Sequence, residues 1–242
     1  MSLYTERTYR KRIRARGLTS FHVAIKETDL WISADVNLEK ETRDLVFDCR
    51  QQLEMYIRMN PEFAITLSPY GKDPYAPSMV REMIKITSQL GVGPMASVAG
   101  AIAQYVGMGL IKLTDQIIVE NGGDIFLKAN RALTVSILAG NSPLSETFGL
   151  SIPVKQMPLG ICSSSATVGH SLSMGIADLV CILSPSAPFS DSAATAIGNR
   201  IKRKKDLLKI VDWANKIKGI LGGVVIVEDR MATWGDIKLV DI

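Results

Sequence analysis

Apolar residues recur at two periods along this chain, and the two periods separate strands from helices. Alternation in Phe21-His22-Val23-Ala24-Ile25 and in Leu30-Trp31-Ile32-Ser33-Ala34, around the polar Thr28-Asp29, predicts a hairpin. Leu45, Cys49, Leu53 and Ile57 recur every four residues and predict a long helix that Pro61 ends. Pro69, Gly71, Pro74 and Pro77 mark a loop, after which Ser78 opens a helix through Met79, Met83, Ile84 and Ile86. Gly91-Val92-Gly93-Pro94 interrupts it, and Met95 to Val106 continues as a helix of small residues. The Gly91-x-Gly93 pair offers free N–H groups to a phosphate, but it lacks the rest of a dinucleotide fingerprint.

Strands dominate the second half. Gln116 to Glu120 turns through Asn121-Gly122-Gly123-Asp124 into Ile125-Phe126-Leu127, and Asn-Gly is a strong hairpin signal. Leu133 to Leu138, Ile152 to Val154, Ala177 to Leu183, Val224 to Val227 and Ile237 to Val240 are further strands. Ser190 or Asp191 opens a short helix over Ser192 to Ile197, and Asp206 to Ile217 forms an amphipathic helix. Lys202 to Lys205 is a solvated turn. With no repeat and no low-complexity linker, residues 1–242 are expected to form one domain.

Composition narrows the class. At 242 residues and 47% apolar, the chain can bury a sizeable core. A net charge of +4 does not by itself imply nucleic acid, and the basic N-terminus (Arg7, Arg10, Lys11, Arg12, Arg14, Arg16) fits a solvated face or an edge strand. No apolar stretch follows it, so it is not a secretory signal. The uncharged run from Ile86 to Ile111 is long enough for a membrane span, but Gly91, Gly93, Pro94 and Gln104 break it and favour a buried helix. Three scattered cysteines, Cys49, Cys162 and Cys181, form neither a disulfide framework nor a zinc site, which fits a cytoplasmic setting. The small-residue and apolar content is compatible with a homo-oligomer.

Candidate chemistry centres on Gly160 to Ser171, where Cys162, Ser163, Ser164, Ser165, Thr167, His170 and Ser171 crowd small polar groups between apolar strands. Such a density reads either as a satisfied Ser/Thr turn or as a ligand-lining loop. Cys162 with His170 could carry nucleophilic or persulfide chemistry, if a thiolate is favoured there. Cys49 and Cys181 lie in apolar runs, so Cys162 is the thiol expected to react. Asp191 and Thr195, four residues apart on one helical face, either serve a helix terminus or offer oxygen to a hard cation.

Taken in order, these segments resemble the ApbE superfamily, which transfers FMN from FAD onto protein threonines using magnesium. Asn121-Gly122-Gly123-Asp124-Ile125 is similar to its Gly-Gly segment, Ser164 to His170 to its Ser/Thr-Gly and His segment, and Ser190 to Ala196 to its Ala-Asp-Ala-x-x-Thr-Ala motif. These pieces cover roughly residues 90–200, and Met95–Ala103 with Cys162–Ser171 resembles a compact, uncharacterised branch over most of the chain. The resemblance implies an α+β fold of mixed or antiparallel sheets packed against helices. It implies FAD or FMN as ligand, held by Gly122, Gly123, Asp124, Ser163, Ser164, Ser165 and Thr167, with Mg2+ on Asp191 and Thr195, and an acceptor protein as partner. One departure stands out: Pro94 to Gly100 carries neither the Lys nor the Asp usual in that helix of transferases. A flavin transferase, a Cys162-dependent sulfur transferase and a non-catalytic small-molecule-binding module therefore remain as readings, all without nucleic acid or membrane.

Overall fold

The computed structural model describes residues 17–167 and 174–242. The predicted hairpin is present as β1 (Thr19–Ile25) and β2 (Thr28–Ala34), with His22 opposite Trp31. Four helices follow before the next strand: α1 (Glu39–Met59), the short α2 (Glu62–Ile65), α3 (Ser78–Leu90) and α4 (Val98–Leu110). A 3-10 turn over Pro94–Ser97 leads into α4, and α3 and the segment Pro94–Leu110 are bent by 103° to each other. Among the described residues no single helix is long and apolar enough to cross a membrane. Ala101, Ile102, Ala103, Val106 and Leu110 of the uncharged run are instead buried in a protein core.

Gly91 and Gly93 serve that bend. Gly91 closes α3 in the left-handed region at φ 72°, where glycine has no steric cost. The Gly91 and Val92 N–H groups both donate to the Thr87 carbonyl and so are not free for a phosphate, and Gly93 packs against backbone, where a Cβ would stand 1.9 Å from the Thr66 carbonyl oxygen. The phosphate reading of this pair is thereby corrected to a helix stop and a close backbone contact.

The remaining elements are β3 (Ile117–Asn121), β4 (Asp124–Lys128), β5 (Leu133–Ser136), β6 (Phe148–Ile152), β7 (Leu159–Ser164), β8 (Leu179–Ser184), α5 (Ala187–Gly198), α6 (Ile210–Asn215), β9 (Gly222–Val227), β10 (Arg230–Gly235) and β11 (Lys238–Asp241). They form an eight-stranded sheet in the order β1-β2-β3-β4-β7-β8-β9-β10 and a three-stranded sheet β11-β6-β5. Every pairing is antiparallel. This is the α+β class that the segments imply.

The inner strands of the large sheet, β8 and β9 above all, are apolar on both faces because both are covered. Phe126 and Cys162 face a core shared with α1, α3 and α4, while their neighbours Leu127 and Ile161 face a second core under the small sheet. Farther along, Val180, Ile182 and Val225 meet α5 and α6, whereas Cys181, Leu183 and Val224 point the other way. Each large side chain sealed in this manner contributes about 1.5–3 kcal/mol.

Several predicted boundaries move; the strand expected over Ile152–Val154, for one, is Phe148–Ile152, with Val154 in a 3-10 turn. The Gly160–Ser164 portion of the polar stretch is not loop but the inner strand β7, paired on both sides. The helix expected over Asp206–Ile217 splits into a 3-10 turn (Lys204–Lys209) and the short α6, leaving Leu208 87% exposed. The start of α5 moves too, to Ala187, with Pro188 in its first turn where no intrahelical N–H is required. Asp191 is therefore a second-turn residue and not the cap of its own helix.

Candidate functional site

The β3–β4 hairpin delivers the first carboxylate. Asn121 pairs with Asp124 across a turn whose Gly122 and Gly123 both have positive φ, 70° and 106°. The Gly123 N–H donates to Glu120 Oε1 at 2.9 Å, which fixes the turn. Asp124 is 7% exposed and opens β4. Because Ile125 stands opposite Ile161, Asp124 lies beside Cys162 and Ser163, and the Ser163 N–H donates to Asp124 Oδ1 at 3.2 Å.

The second carboxylate comes from α5, which packs across β7, β8 and α4. Asp191 Oδ2 accepts the Gly100 N–H at 2.9 Å. Gly100 lies in the first turn of α4, where backbone N–H groups lack helical partners. Ser97 precedes that helix, but its hydroxyl donates back to the Pro94 carbonyl at 2.7 Å, so Asp191 supplies the cap from another element. The approach needs glycine: a Cβ on Gly100 would sit 2.5 Å from the Ala187 carbonyl oxygen and 3.0 Å from Asp191 Cβ. Gly160 of β7 serves the same end, since its Cβ would stand 2.3 Å from Ala187 Cα. Asn121 completes the frame by donating from Nδ2 to the Ala99 carbonyl at 3.1 Å.

Electrostatics set this cluster apart. Burial pushes the Asp191 carboxyl well above the usual carboxylate range, and the nearby Asp124 carboxylate pushes it further. The Gly100 and Ala99 N–H groups oppose that rise. Cys162 feels the same field: burial raises its thiol, and Asp124 and Asp191 add to the effect.

The cysteine expectation is corrected here. Cys162 has no exposed surface, and its thiol donates to the Ala187 carbonyl at 3.2 Å. A buried thiol beside two carboxylates resists becoming a thiolate, so Cys162 is not the accessible nucleophile that the sequence suggested. Cys49 and Cys181 are also buried, each pushed up to about 12 by desolvation.

The other predicted residues lie along β7, just past its end, and on α5. Ser164 ends β7 and is buried. Past the strand, the Thr167 N–H donates to Ser165 Oγ at 3.0 Å, and Thr167 Oγ1 donates to Asp178 Oδ1 at 3.4 Å. Thr195 lies one turn beyond Asp191 on α5, and both are partly exposed. His170 lies outside the described residues. Asn121 and the Ala99–Gly100 peptide were not singled out from sequence; the Asn before the Gly-Gly turn and the lone Gly in the first turn of a small-residue helix were the available signals. Two surface depressions, of about 520 Å³ at Lys204, Leu208 and Arg230 and about 490 Å³ at Tyr56, Tyr70 and Asp73, contain none of these residues.

Among the described residues there is no group of three or more His, Cys, Asp or Glu able to hold a metal. A cation here would rest on Asp191, Asp124 and the Thr195 hydroxyl, with the remaining positions left to a ligand or water. That is a donor set of hard oxygens, and hard oxygens suit magnesium.

The family model described as AbpE bacteria matches residues 10–217. A UPF0280 protein of Methanocella arvoryzae is 39% identical over 212 residues, covering 87% of this chain and 86% of that protein. One from Methanosarcina acetivorans is 36% identical over 219 residues, covering 89% and 86%. Among solved structures, the apo flavinyl transferase ApbE of Pseudomonas stutzeri superposes with a TM-score of 0.57 at 12% identity, over 90% of this chain and 93% of that one. The ApbE protein of Thermotoga maritima superposes with a TM-score of 0.54 at 10% identity, over 89% and 96%. At such identities the superpositions speak for the fold, and the sequence matches speak for the kinship. The chain belongs to the UPF0280 family of ApbE-like proteins.

Proposed function

We propose that this chain binds FAD with Mg2+ at the α4–α5–β4 junction and transfers FMN to a hydroxyl of an acceptor protein. The observation that carries the reading is the Asp191 carboxylate. Burial and the neighbouring Asp124 carboxylate both disfavour its charged form. A divalent cation would favour that form, and Asp191, Asp124 and Thr195 carry the hard oxygen donors that would hold it. When bound, magnesium would screen the negative charge of the pyrophosphate and of the transferring phosphoryl group.

The chain's own residues then bind and orient. The Gly122-Gly123 turn offers backbone without side chains, so a nucleotide can lie close. Ser165 and Thr167 offer hydroxyls at the end of β7. In the reaction, the acceptor hydroxyl oxygen bonds to the FMN phosphorus as the bond from that phosphorus to the bridging oxygen breaks. AMP leaves with the electron pair, and the hydroxyl proton passes to a base, for which His170 of the polar stretch is the candidate that the sequence offers.

A second reading, flavin binding without transfer, is favoured by the absence of Lys and Asp from Pro94–Gly100. One experiment separates the two. The purified chain is titrated with FAD by calorimetry, with and without MgCl2, and the mixture is then assayed for AMP. Magnesium-dependent binding with AMP release supports transfer, and binding without AMP supports the second reading. FAD binding that ignores magnesium, or no binding, overturns the assignment of the site.

A further inference from the structure

Helix α1 turns one side to the protein and the other to solvent. Thr42, Val46, Cys49, Leu53 and Tyr56 are buried on the inner side. The outer side is not uniformly polar, since Phe47 is 60% exposed and Met55 is 55% exposed. Single exposed apolar side chains are ordinary, but these two belong to a line. Asp44, Phe47, Gln51, Met55 and Arg58 are all exposed, and their spacings of three, four, four and three residues place them on one helical face.

The order along that face is symmetric about Gln51. Phe47 and Met55 stand four residues to either side of it, and Asp44 and Arg58 stand seven. Apolar mirrors apolar, and acid mirrors base. Neither Asp44 nor Arg58 has an ion-pair partner among the described residues, whereas Arg43 and Arg50 are engaged by Glu39 and Glu54. We propose that this face is a homodimer interface, with a second copy of the chain packed antiparallel across Gln51 on a two-fold axis. Phe47 of each copy then meets Met55 of the other, a favourable thioether–aromatic contact, and Asp44 of each meets Arg58 of the other. Gln51 meets its own copy, and an amide carries both a donor and an acceptor, so it can bond to itself. A parallel pair in register would set acid on acid and base on base, so the pattern fixes the direction as well. Residues seven positions from the axis stand about 10 Å along the helix, where a crossing of about 20° parts the two helices by only a few ångströms.

The test is sedimentation equilibrium of the full chain over a wide range of concentration. The wild type should weigh as a dimer that dissociates on dilution. Phe47→Glu places a charge at both symmetry-related contacts and should raise the dissociation constant about 100-fold or more. Arg58→Asp sets acid against acid and should weaken the dimer by about 10-fold, and the double variant Asp44→Arg/Arg58→Asp should bring it back towards wild type. These side chains are exposed, so circular dichroism should show the fold intact in each. A second measurement does not depend on weakening anything. Gln51→Cys should form an intermolecular disulfide in oxidised glutathione, because the axis brings position 51 onto itself within the roughly 4.4–6.8 Å that a disulfide spans between Cα atoms. Tyr75→Cys, at a position 95% exposed and off α1, should stay unlinked, and the buried native cysteines do not compete. A chain that is monomeric at every concentration overturns the inference, whether residues 1–16, another protein or solvent covers the face. So does a dimer indifferent to Phe47→Glu, one that the double charge swap fails to restore, or one that Gln51→Cys does not link.

Discussion

Asp191 caps a helix that begins far from it in the chain: its Oδ2 takes the Gly100 N–H at 2.9 Å, across 91 residues of sequence. The same carboxylate is raised in pKa by burial and by Asp124. This side chain therefore ties α5 to α4, beside the Ala187 N–H bond to Gln104 Oε1 at 2.8 Å, and it carries an electrostatic cost.

That cost gives a pH dependence with a definite sign. The folded-state pKa of Asp191 lies above its ordinary 3.8, so between those two pKa values the folded chain binds more protons than the unfolded one. Stability should fall as pH rises from about 3.8 through the folded pKa, because ionisation is penalised in the fold. Asp191→Asn keeps an acceptor for Gly100 and removes the charge, so its urea midpoint should decline less over that range. Asp191→Ala, lacking the acceptor, should be less stable than Asp191→Asn by about 0.5–2 kcal/mol. A wild type and Asp191→Asn with parallel pH profiles would contradict the assignment.

The thiols should be silent in the native chain. Cys49, Cys162 and Cys181 are 1%, 0% and 1% exposed. Iodoacetamide followed by peptide mapping should label none of them without denaturant and all of them with it. Native labelling of Cys162 would restore it as a candidate nucleophile.

Glycine substitutions should rank by what their Cβ meets. Gly100→Ala and Gly160→Ala press on Ala187 at 2.5 and 2.3 Å, against backbone that cannot step aside. Each should lower stability by about 1–3 kcal/mol, as overpacking does. Gly71→Ala, with nothing within 4 Å, is the control and should change little. Chemical denaturation of the three variants is the measurement.

Asp35 should be an acid-sensitive clamp at the end of β2. Its Oδ2 accepts the Thr114 hydroxyl at 2.8 Å and the N–H groups of Asp115 and Gln116 at 3.0 and 2.9 Å. The Gln116 amide reaches Oδ1 at 2.9 Å. The Thr114 and Gln116 side chains, with the backbone donors, hold this carboxyl below its ordinary 3.8. The stability it lends is present above about 3.8 and lost as pH falls through the folded pKa. Asp35→Ala should lower the denaturation midpoint at neutral pH and leave it nearly unchanged at pH values below the folded pKa. An equal effect at both pH values would show that charge is not its contribution.

Sequence patterning located most elements because each face of the sheet and each long helix carries one clear period. Leu45, Cys49, Leu53 and Ile57 are sufficient for α1, and Asn121-Gly122 for the β3–β4 turn. It failed where tertiary contact overrides local preference. Gly160, Ser163 and Ser164 have poor strand propensity, yet they lie in β7 because β4 and β8 supply partners on both sides and Ala187 fills the space over Gly160. The edge strand β10, with Arg230, Ala232 and Thr233, has too weak an apolar pattern to stand out. Asp124 and Asp191 were each visible as candidates, but their proximity is a property of the folded sheet and no spacing in the chain expresses it.

Within the large sheet, neighbouring strands follow one another in chain order at every step but one, the step from β4 to β7. Asp124 stands on one side of that step and Cys162 and Ser163 on the other. The segment between β4 and β7, residues 129–158, is shorter than residues 35–116 between β2 and β3, which carry four helices, so chain-order neighbours are not the nearest in sequence. The carboxylate cluster depends on long-range closure of both kinds: Asp124 needs the β4–β7 join, and Asp191 needs α5 packed on α4 across 91 residues. On the proposed reading, a partly unfolded chain would hold neither cation nor nucleotide there, and ligand binding would protect the assembled cluster from opening.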